Sequence, residues 1–199
     1  MNCTDNDLYK SLEHCNGTPV LTGIRPVIYF IKKSNIVAWP VRPSTAKAAV
    51  GEIATYNTAF TLAADKKFMK MDLNDLKNNF EAEAQGERPS RTFNNKLTVV
   101  LPGENADTAA TVGLLINDSV IIIFFDRSGA ARILGNEMYD VQANPSVKTG
   151  TSATDEHSTT IEFSVPDTQP APYYAADIVC ESGTINGATG AVKTTTVTP

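Results

Sequence analysis

The sequence is poor in the residues from which active sites and covalent staples are most often built. It has three cysteines and two histidines in 199 residues. Cys3, Cys15 and Cys180 are an odd set, far apart, so no disulfide framework is expected and a reducing compartment fits better. No apolar run approaches the roughly 20 residues that a membrane-crossing helix requires. The longest, VIIIFF at 120–125, has the length of a strand. The opening stretch MNCTDNDLYKSLEHC has no basic region followed by an apolar core, which predicts a chain without a secretory leader. The phosphate-cradling patterns GxxxxGK[ST] and GxGxxG are missing. Basic excess is missing too. A net charge of −5 argues against a general nucleic-acid binder, which needs a cationic surface to neutralise phosphates.

The composition is otherwise that of an ordinary globular chain, 42% apolar and 20% charged, long enough to bury a core in one domain. Its charge is unevenly divided. Residues 1–100 carry 13 basic and 10 acidic side chains, whereas residues 101–199 carry 4 and 12. Such a division is compatible with subunits that meet front to back.

Asp5 is a candidate cap for a short helix over 5–15, with Leu8, Leu12 and Cys15 at helical spacing and Gly17 past its end. RPVIYFIKKSNIVAWPVRP predicts a hairpin: apolar residues 27–31, a polar turn at Lys33-Ser34-Asn35, and a return over 36–39 ended by Pro40 and Pro43. Residues 42–54, rich in small side chains, read as a loop or arm. Strands are expected on either side of AADKK. Residues 73–85 fit two periods. Leu73, Leu76, Phe80 and Ala84 suit a helix face, and Phe80, Ala82 and Ala84 against Glu81, Glu83 and Gln85 suit a strand. RTFNNKLTVVLPG is a strand closed by Pro102-Gly103.

ENADTAATVGLLIND predicts a helix opened by Glu104 or Asn105. VIIIFF-DRSG-AARILG predicts a hairpin with its turn at 126–129. EMYDVQANPSV and TTIEFSV are two strands joined by residues 148–158, with Ile161, Phe163 and Val165 on one face. The Gly/Thr-rich residues 182–199 read as a mobile tail or an added edge strand, leaving 1–181 as a single domain. The sum is an α+β, mainly β fold, a β-barrel or sandwich with a flanking helix and a short N-terminal helix. The aromatics Tyr29, Phe30, Trp39, Phe60, Phe93, Phe124, Phe125 and Phe163 fall in these strands and read as core.

One stretch has the ingredients of chemistry: Asp155, Glu156, His157 and Ser158 are consecutive. Catalytic triads assemble from residues distant in sequence, because neighbouring side chains cannot converge on one reacting atom. His157 has no second histidine or cysteine at ligand spacing, and a zinc site needs about four ligands. A solvated loop tip is the expected role. His14 and Cys15, with Cys3, make a weak metal set. Asp72/Asp75 and Glu81/Glu83 are read as solvated acids rather than paired acid–base groups, which would need burial. Asn16-Gly17-Thr18 matches a glycosylation pattern but suits a helix end. QPAPYY at 169–174 suits a polyproline ligand or a rigid exit from a strand. These readings predict no enzyme, no metal and no cofactor.

The segments GN at Gly135-Asn136, TG at Thr149-Gly150, TD at Thr154-Asp155 and STT at Ser158-Thr159-Thr160 are followed by a strand and a Pro-rich aromatic stretch. In this order they resemble the C-terminal region of bacteriophage tail tube proteins of the Bacteroidales phage and prophage type. Ser158 stands where that family usually has glycine. FTLAADKKFMKMDL and QGERPSRTFNNKLTVVLPG look like the same group, and the resemblance spans about residues 8–178. It implies a β-barrel or sandwich whose subunits form rings, usually of six, that stack into a hollow tube with one sheet of each subunit lining the DNA channel. The implied partners are the chain itself and other tail proteins. DNA would pass without specific binding, no membrane would be involved, and the location would be the virion after assembly in the host cytoplasm. Lys148, Asp155, Glu156, His157 and Ser158 are then a candidate subunit-contact loop. The alternatives are another tail component, a secretion-system tube subunit, or a free-standing β-sandwich module that binds carbohydrate or another surface ligand.

Overall fold

The run VIIIFF lies at the centre of the molecule and is buried along its whole length. It belongs to β8 (Val120–Asp126), a middle strand of a six-stranded sheet. A strand covered on one face only would alternate apolar and polar residues. A continuous run is what burial on both faces demands. In this computed structural model, which describes residues 9–43, 50–152 and 154–193, that demand is met by two cores on opposite faces of one sheet.

The large sheet has the order β3 (Thr55–Tyr56), β12 (Tyr173–Tyr174), β9 (Ala131–Leu134), β8, β1 (Ile24–Lys32) and β5 (Met69–Asp72). A second sheet of four strands packs on one face in the order β10 (Gln142–Lys148), β11 (Ser158–Asp167), β7 (Thr92–Pro102) and β6 (Asn79–Gln85). Ile28, Ile122 and Phe124 meet Leu97, Val99, Ile161 and Phe163 in the core between them. Helix α1 (Ala106–Leu115) flanks this core through Val112 and Leu115. Asn105 caps it, accepting from the Thr108 amide at 2.8 Å. The opposite face of the large sheet carries Tyr29, Ile31, Ile121, Ile123 and Phe125. It is covered by a three-stranded sheet, β13 (Asp177–Cys180), β14 (Gly183–Asn186) and β15 (Val192–Lys193), and by the pair β2 (Ile36–Ala38) and β4 (Thr61–Leu62). The architecture is a mainly β sandwich with one α-helix among the described residues, and its sheets are open rather than closed into a barrel.

Several sequence expectations need correction. Residues 9–15 are not helical, and residues 5–8 of the expected helix lie outside the described part. A helix this short is marginal alone, and Tyr9 and Leu12 find no surface to dock on, at 98% and 94% exposed. Gly17, with φ +89°, serves a turn closed by the Thr18 amide on the Cys15 carbonyl. Residues 27–39 are not a hairpin. The Lys33 amide donates to the Ser119 carbonyl, which keeps β1 on β8, and the 3-10 turn Lys33–Asn35 sends β2 away to pair with β4. Residues 79–85 are strand, with Phe80 packed on the core. Of the small-residue arm, 50–54 forms a 3-10 turn and 44–49 lies outside the described residues. The Gly/Thr-rich segment supplies β14 and β15, with Ile185 buried, so the edge-strand alternative describes residues 183–193. Residues 194–199 are not described.

Candidate functional site

In the four-stranded sheet Phe80, Leu97, Phe163 and Ala143 lie side by side and face the core. The alternation of strands therefore puts the next rows outward. One row is Glu81, Lys96, Ser164 and Gln142, and the next is Asn79, Thr98, Glu162 and Asn144. This outer face is polar throughout these two rows. Its charges are Glu81, Glu83 and Glu162 against Lys96 and Lys148, and Lys96 reaches Glu83 at 3.7 Å. Both edge strands, β6 and β10, have seven residues and a free side. The edges of the large sheet, β3 and β5, have two and four. A free edge presents unpaired N–H and C=O groups to any strand that approaches. Pro145 on β10 removes one donor, a common guard on such an edge.

The β10–β11 hairpin carries the candidate loop. Asp155 is exposed, but its carboxylate is engaged within the loop. Its Oδ2 accepts from the Thr151 amide and hydroxyl, both at 2.7 Å, and from the Ser152 amide at 2.9 Å. These bonds, the Thr151 hydroxyl first, hold its carboxyl down to about 2. Glu156 ties the loop to the β5–β6 connection, accepting from Lys77 at 2.5 Å and from Asn74 at 3.2 Å. His157 is exposed, and its backbone carbonyl accepts from the Gly103 amide at 3.1 Å. Ser158 is buried, opens β11, and pairs with Lys148 on one side and Pro102 on the other. The four side chains do not meet at one point.

The residues that carry the family resemblance are turn makers. Gly135 has φ +109°, and a Cβ there would meet Ile121 Cδ1 at 2.6 Å, so only glycine fits. Asn136 Oδ1 accepts from the Met138 and Tyr139 amides, and its Nδ2 donates to the Pro166 carbonyl at 2.9 Å and to Asp167. Gly150 has φ +74°, in the turn that Asp155 closes.

The other candidate groups are dispersed. Asp72 pairs with Lys70, Asp75 with Arg127 and Glu83 with Lys96, while Glu81 accepts from Asn79, all at the surface. His14 and Cys15 are exposed, Cys180 is buried, and Cys3 lies outside the described residues. Among the described residues no three histidine, cysteine or acidic side chains gather as a metal site, and no helix is long and apolar enough to cross a membrane. QPAPYY is a rigid exit: Asn95, 1% exposed, donates to the Gln169 carbonyl and accepts from the Ala171 amide.

Sequence reasoning missed three polar groups that organise this half of the molecule. Asn95 is one. Asp167, 4% exposed at its side chain, accepts from Arg42, Asn136 and the Thr168 amide at the end of β11. The third is Arg42, whose signal was legible: a cation framed by prolines in the apolar stretch WPVRP.

Comparison of the chain with protein-family models, with curated proteins and with solved structures returns no match.

Proposed function

We propose that this chain is a virion structural protein, the tail tube subunit of a phage or prophage. Its four-stranded sheet would line the channel. The observation that carries this reading is the pair of free, seven-residue edges on one polar sheet. The strands alternate in direction from β10 through β11 and β7 to β6, so β10 and β6 run oppositely. A ring of copies related by rotation places the β6 edge of one copy beside the β10 edge of the next, antiparallel, and the ladder continues unbroken around the ring. Two different edges meeting head to tail are the heterologous contact that closes rings, and closure removes the exposed edges altogether. The face so enclosed has three acids to two lysines, which suits a conduit that must not retain phosphate. Stacking of rings would then fall to the loops at the ends of these strands, among them the 149–157 loop.

Electron microscopy of the purified protein at high concentration tests the reading. Hollow tubes or rings are expected. A monomer that never assembles, together with a Val147→Pro variant, which removes a second donor on the side of β10 where Pro145 lacks one, indistinguishable from the parent at every concentration, would refute it.

A further inference from the structure

The segment 37–43 that leaves β2 forms one wall of a cavity of about 680 Å³, within the size range of ligand pockets. Trp39 and Tyr56 are aromatic walls, and Val37 and Val41, 67% and 77% exposed, stand at the mouth. Arg42 lines the cavity with its guanidinium carbon 5.1 Å from the Tyr56 ring centroid. One nitrogen, Nη2, donates to Asp167 Oδ1 at 3.2 Å and to Thr168 Oγ1 at 3.4 Å. The other, Nη1, is buried and has no partner, the one such side-chain atom among the described residues. Glu137 lines the same cavity without bonding to it. A buried cationic N–H without an acceptor is unfavourable, and a carboxylate is the acceptor that matches it best. The cavity therefore calls for a carboxylate carried between apolar side chains.

The chain's own N-terminal segment has that chemistry. Residues 9–22 form neither helix nor strand, and the Thr18–Cys15 turn is their one backbone hydrogen bond among those described. Tyr9 and Leu12 are almost fully exposed, and Glu13, next to Leu12, has no ion pair among the described residues. The geometry points to an arm-in-groove contact between two copies of this chain. Glu13 of one copy accepts from Arg42 Nη1 of the next, and Leu12 packs on Val37 and Val41. The inference rests on the reading of the chain as a self-assembling subunit. The cavity includes no residue of β6 or β10, so the arm does not compete with edge pairing.

Cys15, exposed and two residues from Glu13, is a ready probe. Two chains are made on a Cys3→Ser background, one keeping Cys15 and the other carrying Cys15→Ser with Val41→Cys. They are mixed and treated with a short bismaleimide. A covalent heterodimer is expected, its yield falling about tenfold with Glu13→Gln or Arg42→Gln, the loss of one charge-assisted bond. Melting curves of the free subunits check that both variants fold, and Glu13→Asp should recover part of the yield. Rings or tubes that form without this link overturn the inference and leave the tube reading standing. So does a link that forms within a third chain, made to carry both Cys15 and Val41→Cys, but never between the first two chains. A link that forms where no ring ever does supports the arm contact and counts against the tube. Neither link nor assembly overturns both.

Discussion

Asn95 and Asn94 are adjacent in β7 and chemically identical, yet the fold assigns them opposite consequences. Asn95 points into the sandwich at 1% exposure. Its Nδ2 donates to the Gln169 carbonyl at 3.0 Å, and its Oδ1 accepts from the Ala171 amide at 3.1 Å. Ala171 is itself fully buried and sits at φ +39°, so its amide has no route to water. Asn95→Ala leaves these two backbone groups without partners. Each unpaired buried group costs about 1–3 kcal/mol, and the Gln169 carbonyl regains part of its loss from solvent, which gives a total of roughly 2–5 kcal/mol. That is a large share of the ~5–15 kcal/mol that holds a domain together. At about 2–4 °C per kcal/mol for a chain of this size, the melting temperature should fall by roughly 5–20 °C. Asn94 lies on the outer face, half-buried, between Glu83 and Pro166, and makes no side-chain hydrogen bond among those described. Asn94→Ala should stay within about 0.5 kcal/mol of the parent. Urea unfolding at constant m-value measures both. A slip of one residue in β7 would exchange the two roles. Equal effects, or an Asn95→Ala midpoint matching the parent, would refute the register and the clamp together.

Tyr174 is 1% exposed, accepts from the Phe60 amide and donates to the Asp177 carbonyl. Burial pushes its phenol up to about 12, with the Phe60 bond opposing. The folded chain therefore keeps a proton that the unfolded chain releases from pH 10 upward, and stability should fall between pH 10 and 12. A shift of this size corresponds to about 2–3 kcal/mol. Tyr174→Phe should make that decline shallower without abolishing it, since burial raises Tyr29 and Tyr56 as well. Asp155 behaves with the opposite sign: its depressed carboxyl supports the loop above the ordinary carboxylate range, and that support is lost as the pH falls through about 2. Amide exchange at Thr151 and Ser152 should stay slow at pH 4 in the parent and become fast in Asp155→Ala. The combined Glu81→Lys, Glu83→Lys and Glu162→Lys variant takes the net charge from −5 to +1. Its assemblies should retain DNA at low salt and release it as salt rises, whereas parent assemblies retain none. Replacing 150–156 with a short turn removes an exposed Glu156–Lys77 pair worth about 0–1 kcal/mol, so the fold should survive while stacking into tubes fails in electron micrographs.

The elements read correctly from sequence are those whose pattern and end signals agree. β7 closes at Pro102-Gly103, α1 opens at Asn105, and the β8–β9 turn spans a polar DRSG between apolar strands. Residues 73–85 could not be resolved by period because Phe80 and Ala84 serve both templates. Pairing with β7 decides it, and pairing is a property of distant residues. The same holds for the failed hairpin at 27–39. Lys33-Ser34-Asn35 has turn chemistry, but that chemistry cannot say whether the next strand returns to β1 or leaves it, and the Ser119 carbonyl, 86 residues away, settles it by taking the Lys33 amide. The N-terminal helix failed for the converse reason. Its spacing was helical, but spacing stabilises a helix only where a partner buries the apolar side, and the described residues of this chain supply none.

Asp155, Glu156, His157 and Ser158 attracted attention as a run of reactive types. The fold uses two of them to shape and anchor a loop, leaves one exposed and buries the last in a strand. Consecutive residues point to different sides in a strand and to different faces of a helix, so a run of this kind disperses whichever element carries it. The informative irregularities lay where local rules went unmet: apolar side chains without cover at 9–21, a polar sheet free at both edges, and an arginine between prolines with an unpaired nitrogen. Each is unfavourable in a solitary chain, and the proposed contacts with another copy would relieve each. A monomer that evolved to remain alone would have covered the apolar arm and shortened the edges. Retaining all three defects together is the pattern expected of a subunit whose lowest free energy lies in the assembly.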